Sequence, residues 1–242
     1  IESAKRDLDE KTFEQEYEAQ FVTYSGLVYY GFDFQENVIE CPYDPELPVL
    51  IGMDFNIDPM TATVFQYDED MEVLYIVDEI EIYGSNTDEM VQEIRDRYGS
   101  KTKIFIYPDP ACRQRKTSAG GKTDLSILQN AGFNVKAKLK HSAIRDRVNN
   151  VNSRLKDSNG QRHIFVSNSC KTILKGLQRQ VYKENTNIPD KEEGFDHMND
   201  AVGYLVDYVK PLTIRSPISS PQRWNIKEGT RGIHKRSGSR YS

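Results

Sequence analysis

Three runs rich in β-branched and aromatic residues follow one another at short intervals: VLIGMDF at 49–55, TATVFQY at 61–67 and EVLYIVDEIEIY at 72–83. Links this short cannot carry a chain back across a sheet for parallel pairing, so the three runs are expected to form an antiparallel meander. After Tyr83 the period changes. Asn86 and Glu89 are spaced as an opening pair for a helix to about Tyr98, KIFIY at 103–107 reads as a short buried strand, and Thr123 or Asp124 opens a helix that ends at Gly132. FNVKAKL at 133–139 and HIFVS at 163–167 read as further strands. Between them Ile144, Val148, Val151 and Leu155 repeat at helical spacing, and CKTILKGLQRQVY and HMNDAVGYLVDYV give the last two helices, with Asp196 expected as the final N-cap. Strands alternating with helices pair in parallel, so the fold class is α/β: a mixed sheet of a three-strand antiparallel meander plus parallel strands, with flanking helices.

The segment before the meander divides at about residue 26. Residues 1–26 read as a helical lead-in, with Thr12 and Gln15 as a capping box, residues 27–210 as the folded unit, and residues 211–242 as a Ser-, Pro- and Arg-rich tail. That tail carries seven Lys/Arg against one acid, although the whole chain has a formal charge of −5. The body is therefore acidic and the tail points to an acidic partner. No apolar run approaches a membrane span and the first residues do not form a signal peptide, so a soluble intracellular protein with no membrane partner is expected. Cys41, Cys112 and Cys170 are far apart and odd in number, which indicates neither a disulfide framework nor a zinc site. The stretch SAGGKT at 118–123 ends like a phosphate-binding loop, but the first glycine of that pattern would fall at Lys116, so nucleotide binding is not expected there.

The candidate chemistry lies in carboxylates from three separate places. Alternation along VLIGMDFN puts Val49, Ile51, Met53 and Phe55 on one face and Leu50, Gly52, Asp54 and Asn56 on the other, which sets Asp54 within an otherwise apolar strand. An acid there needs a partner or a cation, although alone it is equally consistent with a solvated sheet face. Asp109 follows directly on KIFIY between two prolines, where ligands collect beyond the ends of parallel strands. Asp196 and Asp200 share a helix face beside the stripe Met198, Val202, Leu205 and Val209. A cap explains Asp196, which stays a possible accessory acid; it does not explain Asp200. The order of elements is shared by ribonuclease H-like folds, in which these three stretches would meet at one end of the sheet. Oxygen ligands without cysteine suit Mg²⁺ or Mn²⁺, and two such ions suit phosphodiester hydrolysis.

In order and spacing, GMDFNIDPMTA, IYPDPACR, NVKAKLKHSAIRDRVNNV and FDHMNDAVGYLVDY resemble the C-terminal nuclease domain of the large terminase subunit of tailed bacteriophages, from about Phe13 to Tyr208. The resemblance implies a ribonuclease H-like, two-metal endodeoxyribonuclease that cuts concatemeric viral double-stranded DNA during genome packaging, in the host cytoplasm and transiently at the procapsid portal. It assigns Asp54, Asp109 and Asp200 as metal-binding and catalytic acids. His197 matches a histidine that recurs near the metals in part of the family, and either proton transfer or simple solvent exposure fits it. Gly203 stands where the family often has an arginine. Lys136, Lys138 and Lys140 would share one strand face and, with Arg145 and Arg147, form a phosphate-binding rim; Lys136 and Arg147 read rather as solvated charges, which leaves Lys138, Lys140 and Arg145 as the nucleic-acid-binding candidates. Nothing resembles a base-reading motif, so little sequence preference is expected. The family has an ATPase motor upstream, and this chain is expected to begin after it, with the motor, the small terminase subunit and the portal as partners.

Two other functions fit the same residues. A junction resolvase or transposase would use the same metals and prefer another DNA shape. A packaging-motor module that grips DNA or docks on the portal without cutting would rely on the basic tail.

Overall fold

The computed structural model describes residues 26–99, 103–115, 122–184 and 186–211. The helix expected up to Phe21, the loop around Gly121 and the basic tail beyond Pro211 lie outside the described residues. The first elements are a short helix α1 (Phe34–Asn37) and a two-residue strand β1 (Val38–Ile39). The meander then forms as read from the sequence: β2 (Val49–Asp54), β3 (Met60–Asp68) and β4 (Val73–Ile82), each antiparallel to the next.

Helices and strands then alternate: α2 (Thr87–Tyr98), β5 (Ile104–Pro108), a single 3₁₀ turn (Pro110–Arg113), α3 (Asp124–Asn130), β6 (Asn134–Val135), α4 (Ile144–Leu155), β7 (Ile164–Ser167), α5 (Lys171–Arg179) and α6 (Asp196–Val209). The Asn86 side chain accepts from the Glu89 amide at 3.1 Å and the Thr123 hydroxyl from the Ser126 amide at 3.0 Å, so both expected openings hold. α5 opens differently. Its cap residue Cys170 offers no side-chain bond, and the carboxylate of Glu79 on β4 instead accepts from the amides of Thr172 and Ile173, each at 2.8 Å.

The seven strands run β1-β7-β4-β3-β2-β5-β6, with β3 alone antiparallel to its neighbours. The sheet is buried on both faces. Val49, Ile51 and Met53 pack with Met90 of α2 and Leu128 of α3 on one side, while Phe65, Ile76 and Val166 pack with Val151 of α4, Ile173 of α5 and Val202 of α6 on the other. Alternation along β2 thus assigns Gly52 and Asp54 to the α6 side, as the sequence pattern required.

Two expectations fail. FNVKAKL is a strand only at Asn134–Val135, with one further bond from the Lys136 amide to the Ile106 carbonyl at 2.8 Å. Its partner β5 ends at Pro108, and the turn beyond it opens with Pro110; neither proline carries an N–H, so the ladder has nothing to extend on. The shared strand face of Lys136, Lys138 and Lys140 therefore does not exist. Asp196 is the first residue of α6 and not its cap: Phe195 takes the cap position without a side-chain bond, and Asp196 is buried.

Candidate metal centre

Topology and one glycine bring the three acids together. Asp54 ends β2 and Asp109 follows β5, its parallel neighbour; the Asp109 amide donates to the Met53 carbonyl at 2.9 Å, so the two acids leave the sheet side by side. Asp109 is fixed by its own turn, since its Oδ1 accepts from the Ala111 amide at 2.8 Å and the turn's first residue is Pro110. Asp200 arrives on α6, which lies almost directly on β2 at Gly52. A Cβ on Gly52 would stand 2.0 Å from the carbonyl oxygen of Ala201, the residue beside Asp200. All three carboxylates line one open cleft of about 370 Å³, together with Asp124, Asn56, Lys191, His197 and Tyr204.

Each acid has a basic partner within the chain. Asp54 is buried, with its Oδ2 3.2 Å from Nδ1 of His197. An ionised carboxylate can only accept, so that imidazole nitrogen carries the proton, and Nε2 is left to accept from the Asn56 amide at 2.9 Å. Burial raises the Asp54 carboxyl above its ordinary range; the His197 bond opposes this, and the charges of Asp200 and Asp109 add to it. The bond to Asp54 in turn raises the His197 imidazole against the effect of its burial. Asp109 Oδ1 lies 3.4 Å from Nε2 of His141. Asp200 Oδ1 accepts from Arg147 Nη2 at 2.5 Å, and its Oδ2 lies 3.7 Å from Lys191 Nζ.

Among the described residues no three Asp, Glu, His or Cys side chains converge tightly enough as they stand to grip one ion. Their chemistry nevertheless fits one. Carboxylates with no thiolate line a single cleft, and Asp54 is disfavoured as an anion by its burial and by the charges of Asp200 and Asp109, which a hard divalent cation would relieve.

The other expected residues divide. His197 is brought to Asp54, only 23% exposed. Asp196 lies behind it, its Oδ2 2.7 Å from Lys191 Nζ and its Oδ1 3.8 Å from His197 Nε2. Lys138 does not face outward: its Nζ is 2.6 Å from Asp207 Oδ2 and also bonds Ser142. Lys140 and Arg145 are exposed. Arg147, read as a solvated charge, is instead buried against Asp200 with its side chain 7% exposed. The sequence held a signal for this, because Arg147 stands four residues before Val151 and so shares the buried side of α4. Asn56 was already placed on the Asp54 face by the alternation along VLIGMDFN, whereas for His141 and Lys191 there was no signal, since each comes from a connection whose path no periodicity fixes. A larger groove of about 840 Å³, lined by Leu47, Leu50, Tyr67, Phe105 and Asp68, lies at the opposite end of the same strands and touches none of the three acids.

Comparison with known proteins follows the same lines. The family profile described as Terminase RNaseH-like domain matches residues 51–208. No curated protein sequence matches the chain. Among solved structures, the large terminase of a thermophilic bacteriophage superposes with a TM-score of 0.66 at 20% identity, over 86% of this chain and 51% of that one. This chain thus spans about half the length of that protein. The P22 large terminase nuclease domain gives 0.57 at 16% identity, over 75% of this chain and 91% of its own. The large terminase nuclease of the thermophilic phage G20c, with bound cobalt, gives 0.52 at 19% identity, over 75% and 97%. At these identities the likeness is one of fold.

Proposed function

The chain belongs to the terminase RNase H-like domain family, and from that premise we propose that it is a metal-dependent endonuclease cutting concatemeric viral double-stranded DNA during genome packaging, with little sequence preference. The observation that carries this reading is the meeting of Asp54, Asp109 and Asp200, from three distant stretches of sequence, around one cleft. Solved structures of the G20c terminase nuclease carry cobalt in one case and magnesium in another, which supports a divalent ion in this fold.

In this reading Asp54, Asp109 and Asp200 hold Mg²⁺ or Mn²⁺, two ions in all. When bound, the ions polarise the scissile phosphate and lower the pKa of the attacking water. The chain's own groups do the rest. Asn56 and His197 hold the Asp54 carboxylate through the proton on Nδ1, so that its orientation is set before substrate arrives. Lys191, on the cleft wall and half exposed, offers a positive charge to a phosphate oxygen. Lys140 and Arg145 remain candidates for backbone contacts outside the cleft, whereas Lys138 is committed to Asp207. Asp196 acts by orienting Lys191. The nuclease unit is residues 27–210, preceded by a lead-in at 1–26 and followed by a basic tail; the packaging ATPase, the small terminase subunit and the portal are its proposed partners, in the host cytoplasm.

The test is incubation of supercoiled plasmid with the whole chain in Mn²⁺, in Mg²⁺ and in EDTA, with Asp109→Ala alongside. Nicking and linearisation that need the metal and vanish in the variant are expected. DNA binding without cutting in either metal would refute the nuclease and leave a DNA-gripping module in its place.

A further inference from the structure

Arg147 reaches Asp200 by an unusual route. It belongs to α4, and its side chain crosses to α6 directly over Gly203, three residues after Asp200 and therefore on the same side of that helix. A Cβ on Gly203 would stand 2.9 Å from Cγ and Cδ of Arg147 and 3.0 Å from its Nε, so only glycine leaves the passage open. These are atoms of the middle of the side chain, which cannot step aside without moving the guanidinium. Beyond Gly203 the guanidinium lies 4.6 Å over the ring of Tyr204 and donates from Nη2 to Asp200 Oδ1. Asp200 thus has one oxygen tied to a side chain that is itself held by stacking, while Oδ2 stays toward Lys191 and the cleft.

We propose that Arg147 is a positioning residue for the divalent-cation site, holding one oxygen of Asp200 so that the other is presented to the cleft, and that Gly203 is the opening through which it does so. The proposal rests on the metal-centre reading above. A purely structural ion pair would behave differently. Replacing such a pair's buried cation by an apolar chain of similar length shifts stability, and removing a competing positive charge beside a carboxylate tightens cation binding. A positioning residue does the reverse to the cation. Its loss frees Asp200 to turn, and supporting contacts of this kind are worth roughly 10–100-fold in metal affinity.

The experiment is Mn²⁺ titration of the whole chain by calorimetry, without DNA, for the wild type, Arg147→Met, Arg147→Lys, Gly203→Ala and Asp109→Ala, with urea unfolding of each. Arg147→Met is expected to weaken Mn²⁺ binding by about 10-fold. Arg147→Lys should recover part of this, since it restores the charge without the planar fork, and Gly203→Ala should weaken binding with every charge still in place. Mn²⁺ binding as tight as wild type or tighter in both Arg147→Met and Gly203→Ala, with Asp109→Ala defective, overturns the role of Arg147 and leaves the metal centre standing. Unchanged binding in Asp109→Ala as well overturns both. If Arg147→Met does not fold, Gly203→Ala and Arg147→Lys decide the matter by the same criterion.

Discussion

Gly52→Ala is the most informative single change in this molecule, because one methyl group acts on the fold and the acid cluster together. The added Cβ would lie 2.0 Å from the Ala201 carbonyl oxygen, 2.9 Å from its carbon and 3.2 Å from Leu205 Cβ. All three belong to α6, and the nearest are backbone atoms with no rotamer to change. β2 is held by β3 on one side and β5 on the other, so the helix must give way. Restoring ordinary contact at 3.4 Å needs an opening of about 1.4 Å. Overpacking of this severity costs about 3 kcal/mol, the upper end of the usual range. With a urea dependence of about 3 kcal/mol per M, the unfolding midpoint should fall by about 1 M. Asp200, next to Ala201, moves with the helix, and on the proposed reading of the cleft a displacement of about 1 Å should cost roughly 100-fold in cleavage rate. Urea unfolding followed by circular dichroism, with plasmid cleavage in Mn²⁺ measured far below the midpoint, separates the two effects. An unchanged midpoint with unchanged cleavage would mean that α6 does not rest on Gly52 and that its approach does not set the acid cluster.

Further expectations concern parts of the chain away from the cleft. Glu79→Ala removes the carboxylate that accepts from the Thr172 and Ile173 amides and should cost about 1–2 kcal/mol in urea unfolding, whereas substituting exposed Glu81 should leave the midpoint unchanged. Asn152 is fully buried, donates to the Val28 carbonyl at 2.9 Å and accepts from the Gly31 amide at 3.1 Å; Asn152→Ala orphans both backbone groups and should cost about 2–3 kcal/mol by the same assay. The free thiols of Cys41, Cys112 and Cys170 are all buried, and burial pushes both Cys112 and Cys170 up to about 12. Ellman's reagent at pH 8 should therefore find almost no reactive thiol in the folded protein and three equivalents in urea.

The parts of the fold that were legible in the sequence are those where local pattern and tertiary contact ask for the same thing. Val49, Ile51 and Met53 alternate with Leu50, Gly52 and Asp54, and the two sheet faces receive them in that division. FNVKAKL also alternates, yet pairing ends at Val135 because the neighbouring strand runs into prolines. A strand needs a partner as well as a pattern, and the partner's defects do not appear in the strand's own sequence. Asp196 shows a similar limit. Its residue type and position suit a cap, but Lys191, five residues earlier, draws the carboxylate away at 2.7 Å. Of the cleft, the acids were visible as residue types out of place. Of their basic partners, His197 was visible through the resemblance and Arg147 only by its spacing from Val151, whereas His141 and Lys191 were not, because Lys and His are ordinary on any surface until packing turns one inward.

That partnering decides how the cleft meets its ligands. Asp54, Asp109, Asp124, Asp196 and Asp200 bring five negative charges, and Arg147 and Lys191 return two positive ones, with the imidazoles left out of the count. The surplus of three negative charges repels a DNA phosphate and attracts a divalent cation. One such ion leaves the cleft with one negative charge, and a second makes it positive by one. On the proposed reading, therefore, the chain's own charges impose an order: cation first, phosphate afterwards. Asp109→Ala removes one negative charge and one carboxylate from the cleft lining, so it should weaken Mn²⁺ binding while making metal-free DNA binding slightly tighter. Weaker DNA binding by that variant in EDTA would show that Asp109 contributes to the DNA contact itself, and the electrostatic order would have to be abandoned.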